Sequence, residues 1–189
     1  WLPLTLLEPI AVATANWTVI AAEVPTKVRN RLAQFAIGAL KIPCNELQRD
    51  VSSQGPGILL QGSAAQGDDF EVLFEQVGVR GVSASQVANT VASAFQQWLD
   101  ARVAIDEHLA DQLLLPLALS GSGCFTTTAP SQHCLSNIEV IRQFGLANFV
   151  VKQLEPQRWE ISCVSAAPSA LRHRITPTNT AHESADGLR

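Results

Sequence analysis

Hydrophobic and polar positions in the first part of the chain predict a strand followed by a helix. Residues 17–24, WTVIAAEV, are apolar and β-branched, which is typical of a buried strand. Pro25 and Thr26 follow and are suited to a helix start, so a helix is predicted over residues 26–39. The apolar positions that recur at helical spacing on its one predicted face are Val28, Leu32, Phe35, Ala36 and Ala39.

The next segments predict three strands and a second helix. A strand is expected at residues 42–50, and a turn cluster at 54–57 then precedes ILLQGSA and FEVLFEQV, two strands joined by a polar loop at 66–69. Ser83 and Gln86 form a capping box for a helix over 84–100. The apolar stripe of this helix comprises Val87, Val91, Phe95, Trp98 and Leu99. Residues 16–101 thus read β-α-β-β-β-α, a small sheet with its helices on one face.

A second α+β unit is predicted after residue 101. Residues 108–119 are apolar nearly all round, which indicates a buried helix that Pro116 should bend or end. A strand at 124–128, a helix capped by Ser131 and running to about Phe144, and a hairpin of 147–154 with 158–163 follow. The predicted divisions are 1–15, 16–101, 102–164 and a disordered tail at 165–189 without apolar periodicity.

Composition narrows the class of protein. The chain has 189 residues, of which 47% are hydrophobic and 16% charged, as expected for a folded globular protein. Acidic interruptions make a membrane span unexpected, and the net charge of −4 argues against a broad basic surface for nucleic acid. The four cysteines match neither a zinc pattern nor a disulfide framework, so reduced thiols and a cytoplasmic location are expected. The first residues include neither an initiator Met nor a positively charged signal-peptide region, so the chain is expected to be part of a longer protein.

His133 is the histidine best placed for chemistry. It follows a short strand and a turn, and it lies in the first turn of a predicted helix. Unpaired amides and the helix dipole attract phosphate there and favour a neutral imidazole, which is the form that attacks phosphorus. The alternative is a polar cap or a hydrogen-bonded core histidine, and spacing alone favours that alternative.

A polar cluster precedes the predicted buried helix. His108, Asp111 and Gln112 fall within one helical turn, so they share a face on which they could bind a ribose or a purine edge. In the alternative interpretation Asp106 caps the helix while Asp111 and Gln112 face solvent. The spacing does not distinguish the two.

The chain resembles the RNA 3'-terminal phosphate cyclases. The resemblance rests on DEHLADQLLLPLALSGSG at 106–123 and PSQHCLSNIEVI at 130–141, with weaker support from RDVSSQGPG at 49–57. It covers about residues 16–163. It implies that residues 16–101 are the small inserted domain of that family and that 102–164 are part of its larger, repeated α/β catalytic domain.

The resemblance also implies a reaction. The family's histidine, which aligns with His133, attacks the α-phosphorus of ATP to give a histidinyl-AMP. AMP then passes to an RNA 3'-phosphate, and the vicinal 2'-hydroxyl displaces it to close a 2',3'-cyclic phosphate. Asp111 and Gln112 align with nucleotide-contacting residues, and His108 falls where an aromatic residue near the adenosine is common. ATP, Mg2+ (or Mn2+) and RNA 3'-phosphate ends are the implied cofactors and partners.

Departures from the family pattern leave other functions open. Ala129 replaces a second histidine and Ser136 a threonine, and the N-terminal half that would carry the phosphate-binding residues and a metal-binding glutamate is missing. The chain alone is therefore expected to be inactive or nearly so. A non-catalytic scaffold in ribosomal RNA processing is the alternative, although His133 argues against it. A carbohydrate-phosphate transferase of similar architecture is more remote.

Overall fold

The computed structural model describes residues 3–9, 11–12, 14–40, 42–52, 55–66 and 70–165. Four helices and two four-stranded sheets lie within that part of the chain, so the α+β prediction is confirmed. The disordered tail predicted over 165–189 lies outside the described residues, except for Ser165, which ends the last strand. Most of the loop predicted at 66–69 is also outside them.

The first sheet and its two helices have the predicted β-α-β-β-β-α order. The elements are β2 (Ala15–Ala22), α1 (Thr26–Ile37), β3 (Cys44–Asp50), β4 (Gly57–Gln66), β5 (Phe70–Val77) and α2 (Ala84–Ala101), and the strand order is β3-β2-β4-β5. β3 is parallel to β2, whereas β4 and β5 continue the sheet antiparallel. The capping box predicted from Ser83 and Gln86 is present in both directions.

One hydrophobic core joins this sheet to both helices. Trp17 of β2 and Phe95 of α2 are fully buried and meet edge to face, with ring centroids 6.4 Å apart. The predicted face of α1 is wrong in two places, since Val28 and Phe35 are 44% and 42% exposed. The buried face of α1 is centred on Leu32, Ala33 and Ala36, and a 3.6-residue period places Val28 and Phe35 at its edges.

The second sheet contains one strand that sequence patterns did not predict. β1 (Leu4–Leu6) pairs in parallel with β6 (Ser122–Thr127), and the hairpin of β7 (Ala147–Glu155) and β8 (Arg158–Ser165) completes the order β1-β6-β8-β7. Three residues are too few to show an alternating pattern. The chain therefore contributes a strand from each end of its described length to one sheet.

Two helices, α3 (Glu107–Ser120) and α4 (Gln132–Gln143), pack against the second sheet. Pro116 was predicted to bend or end α3; the helix continues through it to Ser120, so the proline does not end the helix. The amide that proline lacks would pair with the carbonyl of Gln112, and Gln112 is exposed to water that can satisfy it. The predicted burial of α3 is also only partial, because Leu115 and Leu119 are 50% and 37% exposed.

Two hydrophobic clusters divide the described residues. One runs from Ala15 to Val103 and the other from Ala104 to Cys163, with further packing by Leu4 and Leu6. The domain boundaries at 16, 102 and 165 remain a prediction that this clustering agrees with. None of the helices in the described part of the chain is long and apolar enough to cross a bilayer.

Candidate nucleotide site

The start of α3 is shaped by a buried carboxylate. Asp106 is 6% exposed, and its Oδ1 accepts hydrogen bonds from the amides of His108 at 2.7 Å and Leu109 at 3.1 Å. An N-cap of this kind satisfies amides that have no partner within the helix. Asp106 is thus a capping residue, as the alternative interpretation of this segment proposed.

Asp111 connects α3 to α4. Its carboxylate is half-buried, and Oδ1 accepts a 2.7 Å hydrogen bond from Nδ2 of Asn137. Gln112, the next residue, is exposed. The alternative, in which both residues face solvent, holds for Gln112, whereas Asp111 is half-buried and also bonds to Asn137.

His133 lies where the sequence predicted, as the second residue of α4. Ser131 is the N-cap and accepts a 3.2 Å bond from the amide of Cys134, while the amides before Cys134 have no acceptor within the helix. The His133 side chain is exposed, so it is not a packed core histidine. Asn137 is one turn further along the same face, and its bond to Asp111 joins the two predicted site segments.

The neighbouring Cys134 has a buried, unreactive thiol. Its side chain is fully buried against the second sheet. Burial, and secondarily the charge of Asp111, raises the pKa of this thiol to about 11. Because the thiol stays protonated at neutral pH, Cys134 does not form a thiolate and imidazolium pair with His133.

A cleft of about 220 Å³ opens beside the N-terminus of α3. It lies between the two hydrophobic clusters, with Phe74 and Trp98 on one side and His108 with Ala129 on the other. Phe74 stacks on Phe95 with ring centroids 4.9 Å apart. The His108 side chain is 82% exposed, and its Nε2 lies 3.8 Å from Oε1 of Glu107. The complete lining is Phe74, Ala94, Gln97, Trp98, Asp106, Glu107, His108, Thr128 and Ala129.

The four predicted site residues thus lie around two helix N-termini. Asp111 bonds to Asn137, which is one helical turn after His133 on α4, whereas His108 lines the cleft and Gln112 is exposed on α3. Within the described residues no three His, Cys, Asp or Glu side chains are grouped to hold a metal ion. The described residues therefore do not by themselves fit a metal centre.

Asn137 and the pair Phe74 and Trp98 contribute to this region without having been predicted as site residues. Asn137 belonged to a recognised motif, but nothing local indicated that it would bond a carboxylate 26 residues earlier. Phe74 and Trp98 read as core residues, and Trp98 is 98% buried by the packing of Phe95 and Phe74. Phe74 and Trp98 also line the cleft, which could be recognised only from the packing of the first unit against the second.

Comparison with known proteins agrees with the motifs at these two helices. A family model described as RNA 3'-terminal phosphate cyclase matches residues 7–151. A protein of Ectopseudomonas mendocina named RNA 3'-terminal phosphate cyclase is 42% identical over 153 residues, which is 80% of this chain and 45% of the relative. A Pseudomonas fluorescens protein of the same name is 33% identical over 163 residues, or 85% of this chain and 47% of the relative.

A shorter match is stronger residue for residue. A Ralstonia nicotianae protein, also named RNA 3'-terminal phosphate cyclase, is 49% identical over 92 residues, which is 49% of this chain and 26% of the relative. The chain thus spans less than half the length of the curated relatives it matches. The family match covers both helix N-termini and every residue that lines the cleft, and the chain belongs to the RNA 3'-terminal phosphate cyclase family.

Proposed function

We propose that this chain carries the nucleophile and the base-binding side of an ATP-dependent RNA end-cyclising enzyme. The observation that carries the proposal is the exposed His133 at the amide end of α4, one turn from the Asn137–Asp111 bond. A helix N-terminus favours the binding of a phosphate group. The site therefore suits an exposed imidazole that attacks a bound phosphate.

The proposed chemistry proceeds through three displacements at phosphorus. A ring nitrogen of His133 forms a bond to the α-phosphorus of ATP, pyrophosphate leaves, and the imidazole loses its N–H proton to solvent. An oxygen of the RNA 3'-phosphate then bonds to the phosphorus of the AMP group, the phosphorus–nitrogen bond breaks, and the ring takes a proton from solvent, which restores the imidazole. Finally the 2'-hydroxyl attacks the RNA phosphorus, its proton is lost to solvent, and AMP leaves as the 2',3'-cyclic phosphate closes.

We assign the cleft to the base of ATP. Phe74, Trp98 and the exposed imidazole of His108 all line this cleft of about 220 Å³, which gives it aromatic and apolar surface for a base. Asp111 is an acceptor for a ribose hydroxyl, and its orientation is set by Asn137. Gln112 is proposed to contact the nucleotide from the exposed side of α3.

The triphosphate needs positive charge that these residues do not supply. We propose that Mg2+ (or Mn2+) accompanies ATP and neutralises it, with its protein ligands outside this chain's described residues. RNA 3'-phosphate ends and a cytoplasmic location complete the proposal. Because the chain spans less than half of its relatives, we expect it to form little adduct by itself.

An adenylylation assay tests the proposal. The chain is joined to the part of the Ectopseudomonas mendocina cyclase that it does not span, and the protein is incubated with α-labelled ATP and Mg2+. We expect an adduct that is labile in acid and stable in alkali, because it contains a phosphorus–nitrogen bond. His133→Ala should abolish this adduct.

His108→Ala is the matched control, since it removes the other exposed histidine at a helix N-terminus. It should retain the adduct but require about tenfold more ATP for half-maximal labelling, as expected for a lost stacking contact. Labelling that persists in His133→Ala contradicts the assignment of the nucleophile. Absence of ATP binding in the joined protein would instead favour the scaffold alternative.

A further inference from the structure

Positive charge is concentrated in one short stretch of an otherwise acidic chain. Residues 24–45 contain four of the 13 Lys and Arg residues and none of the 17 Asp and Glu residues, although the whole chain has a net charge of −4. The stretch includes all of α1. The net charge thus argues against a broad basic surface but leaves room for a local one.

Two of these cations face solvent on α1. Lys27 and Arg31 are exposed, and neither forms a salt bridge with a carboxylate in the described part of the chain. Arg29 differs, because its side chain is only 17% exposed and contacts Asp50 of β3. Arg29 therefore joins α1 to the sheet, whereas Lys27 and Arg31 are available to an anion from outside.

An exposed aromatic ring lies on the same side of α1. Lys27, Arg31 and Phe35 are spaced by four residues, so they follow one another along one side of the helix. The guanidinium carbon of Arg31 lies 6.0 Å from the centroid of the Phe35 ring, which is a cation–π contact, and Phe35 is still 42% exposed. We call Lys27, Arg31 and Phe35 the basic helix face.

α2, which packs beside α1 and also lines the cleft, carries little negative charge. Of its seven exposed residues only Asp100 is charged, and Oδ1 of Asp100 accepts a 2.8 Å hydrogen bond from Gln96. Two other exposed residues of α2, Ala94 and Gln97, line the cleft assigned to the base of ATP. A polyanion that lies across α2 between α1 and the cleft therefore meets one carboxylate of that helix.

We propose that the basic helix face binds the body of the RNA strand whose 3'-phosphate reacts. Lys27 and Arg31 contact backbone phosphates, and unpaired bases stack on the Phe35 ring and on the plane of the Arg31 guanidinium. Cations beside an exposed aromatic ring suit single-stranded nucleic acid, because phosphates need positive charge and unpaired bases need flat partners. Contacts of this kind do not read base edges, so the binding is independent of RNA sequence.

The basic helix face gives the bound RNA a direction. The proposed function brings the reacting 3' end to His133 in the second unit, so the nucleotides that contact α1 in the first unit lie upstream of that end. A 3' end within a duplex offers no unstacked base to Phe35, so single-stranded ends are the preferred substrates. This consequence rests on the proposed function, whereas the binding itself rests on the basic helix face.

RNA binding by the 189-residue chain tests the inference. The probe is a fluorescein-labelled single-stranded RNA of about twelve nucleotides that ends in a 3'-hydroxyl, and anisotropy is measured without ATP. Lys27→Gln/Arg31→Gln should raise Kd about tenfold or more at about 0.05 M NaCl. It should also reduce the slope of log Kd against log salt concentration by about 1.4, since each single-strand phosphate contact contributes about 0.7.

Phe35→Leu separates stacking from charge. It keeps an apolar side chain at the half-exposed position but removes the ring, so Kd should rise about fivefold or more. The salt slope should stay as in the unaltered chain, because no phosphate contact is lost. A reduced salt slope in Phe35→Leu would contradict the stacking role.

The matched control is Arg142→Gln/Lys152→Gln, which removes the same net charge from exposed residues of α4 and β7. It should bind RNA as the unaltered chain does. Absence of RNA binding, or equal weakening by both double variants, overturns the inference. So does binding of polyglutamate as tight as that of the RNA, since the basic helix face would then fit an acidic polypeptide equally well.

The joined protein distinguishes this inference from the proposed chemistry. Lys27→Gln/Arg31→Gln should raise KM about tenfold for the RNA of about twelve nucleotides carrying a 3'-phosphate, but not for a dinucleotide with a 3'-phosphate. The adduct formed with ATP alone should be unchanged. An unchanged KM for the longer RNA contradicts the inference, whereas RNA binding that depends on α1 without any adduct supports it and contradicts the chemistry of His133.

Discussion

At the scale of single residues, Asn137 has the clearest tertiary role in the candidate site. Its 2.7 Å bond to Asp111 is the direct side-chain link between the two helices that carry the predicted residues. Neither partner is fully buried, so the bond contributes toward the lower end of the range of about 0.5–1.5 kcal/mol. Its structural effect is to orient the Asp111 carboxylate toward α4.

A double-mutant cycle measures this bond. Asn137→Ala and Asp111→Ala should each destabilise the chain, and urea unfolding of both single variants and the double variant should give a coupling of about 0.5–1 kcal/mol. Asn148, an exposed residue of β7, provides the control, since Asn148→Ala should show no coupling to Asp111→Ala. A coupling near zero for Asn137 would mean that the bond is not maintained in solution.

Cys134 should make stability depend on alkaline pH. Its pKa is raised from 9.0 to about 11 in the folded chain, so above pH 9 the unfolded thiol loses a proton that the folded thiol keeps. The stabilisation is complete below pH 9 and is lost as pH rises toward 11. The free energy of unfolding, measured by urea titration across this range, should fall less steeply in Cys134→Ala. Identical slopes would contradict the raised pKa.

At the scale of elements, β4 shows how one close approach limits substitution. A Cβ at Gly62 would lie 2.6 Å from Cζ3 of Trp17, whose ring is fully buried and cannot move away. Gly62→Ala should therefore cost about 1–3 kcal/mol through overpacking. Gly57, which begins the same strand, has no atom within 4 Å of an added Cβ.

Thermal unfolding of the two glycine variants checks this expectation. Gly62→Ala should lower Tm by several degrees, and Gly57→Ala should leave Tm nearly unchanged. Tryptophan fluorescence should also shift in Gly62→Ala, because the substituted position touches the Trp17 ring. Equal Tm values for the two variants would show that the sheet adjusts around residue 62.

At the scale of the whole molecule, the two hydrophobic clusters predict separable folding units. The first cluster uses residues between Ala15 and Val103, and it includes three mutually packed aromatic side chains of β5 and α2. A continuous segment with its own core can fold alone. The candidate cleft then forms where this unit meets the second one.

Excision of residues 14–103 tests the domain boundaries. The segment should show a native-like mixture of helix and strand by circular dichroism and a cooperative thermal transition. Gly62→Ala should lower the Tm of the segment and of the whole chain by similar amounts. An excised segment without cooperative unfolding would show that the first unit depends on the second.

Local sequence patterns determined much of this protein. The capping box of Ser83 and Gln86, the stripe of α2 and the position of His133 in the first turn of α4 are all contained within a few neighbouring residues. Hydrophobic periodicity and helix capping involve residues within one or two helical turns, so they can be recognised from the sequence without the tertiary structure. The order of elements in the first sheet followed from the same local signals.

Only the tertiary structure decided which distant residues meet. The pairing of Leu4 with Gly123, the Asp111–Asn137 bond and the shared cleft of Phe74 and His108 each join segments far apart in the chain. The exposure of Leu115 and Phe144 likewise depends on what packs nearby. The hydrophobic pattern of a sequence indicates which side chains prefer to be buried. Strand pairing and packing between distant segments determine which residues cover them.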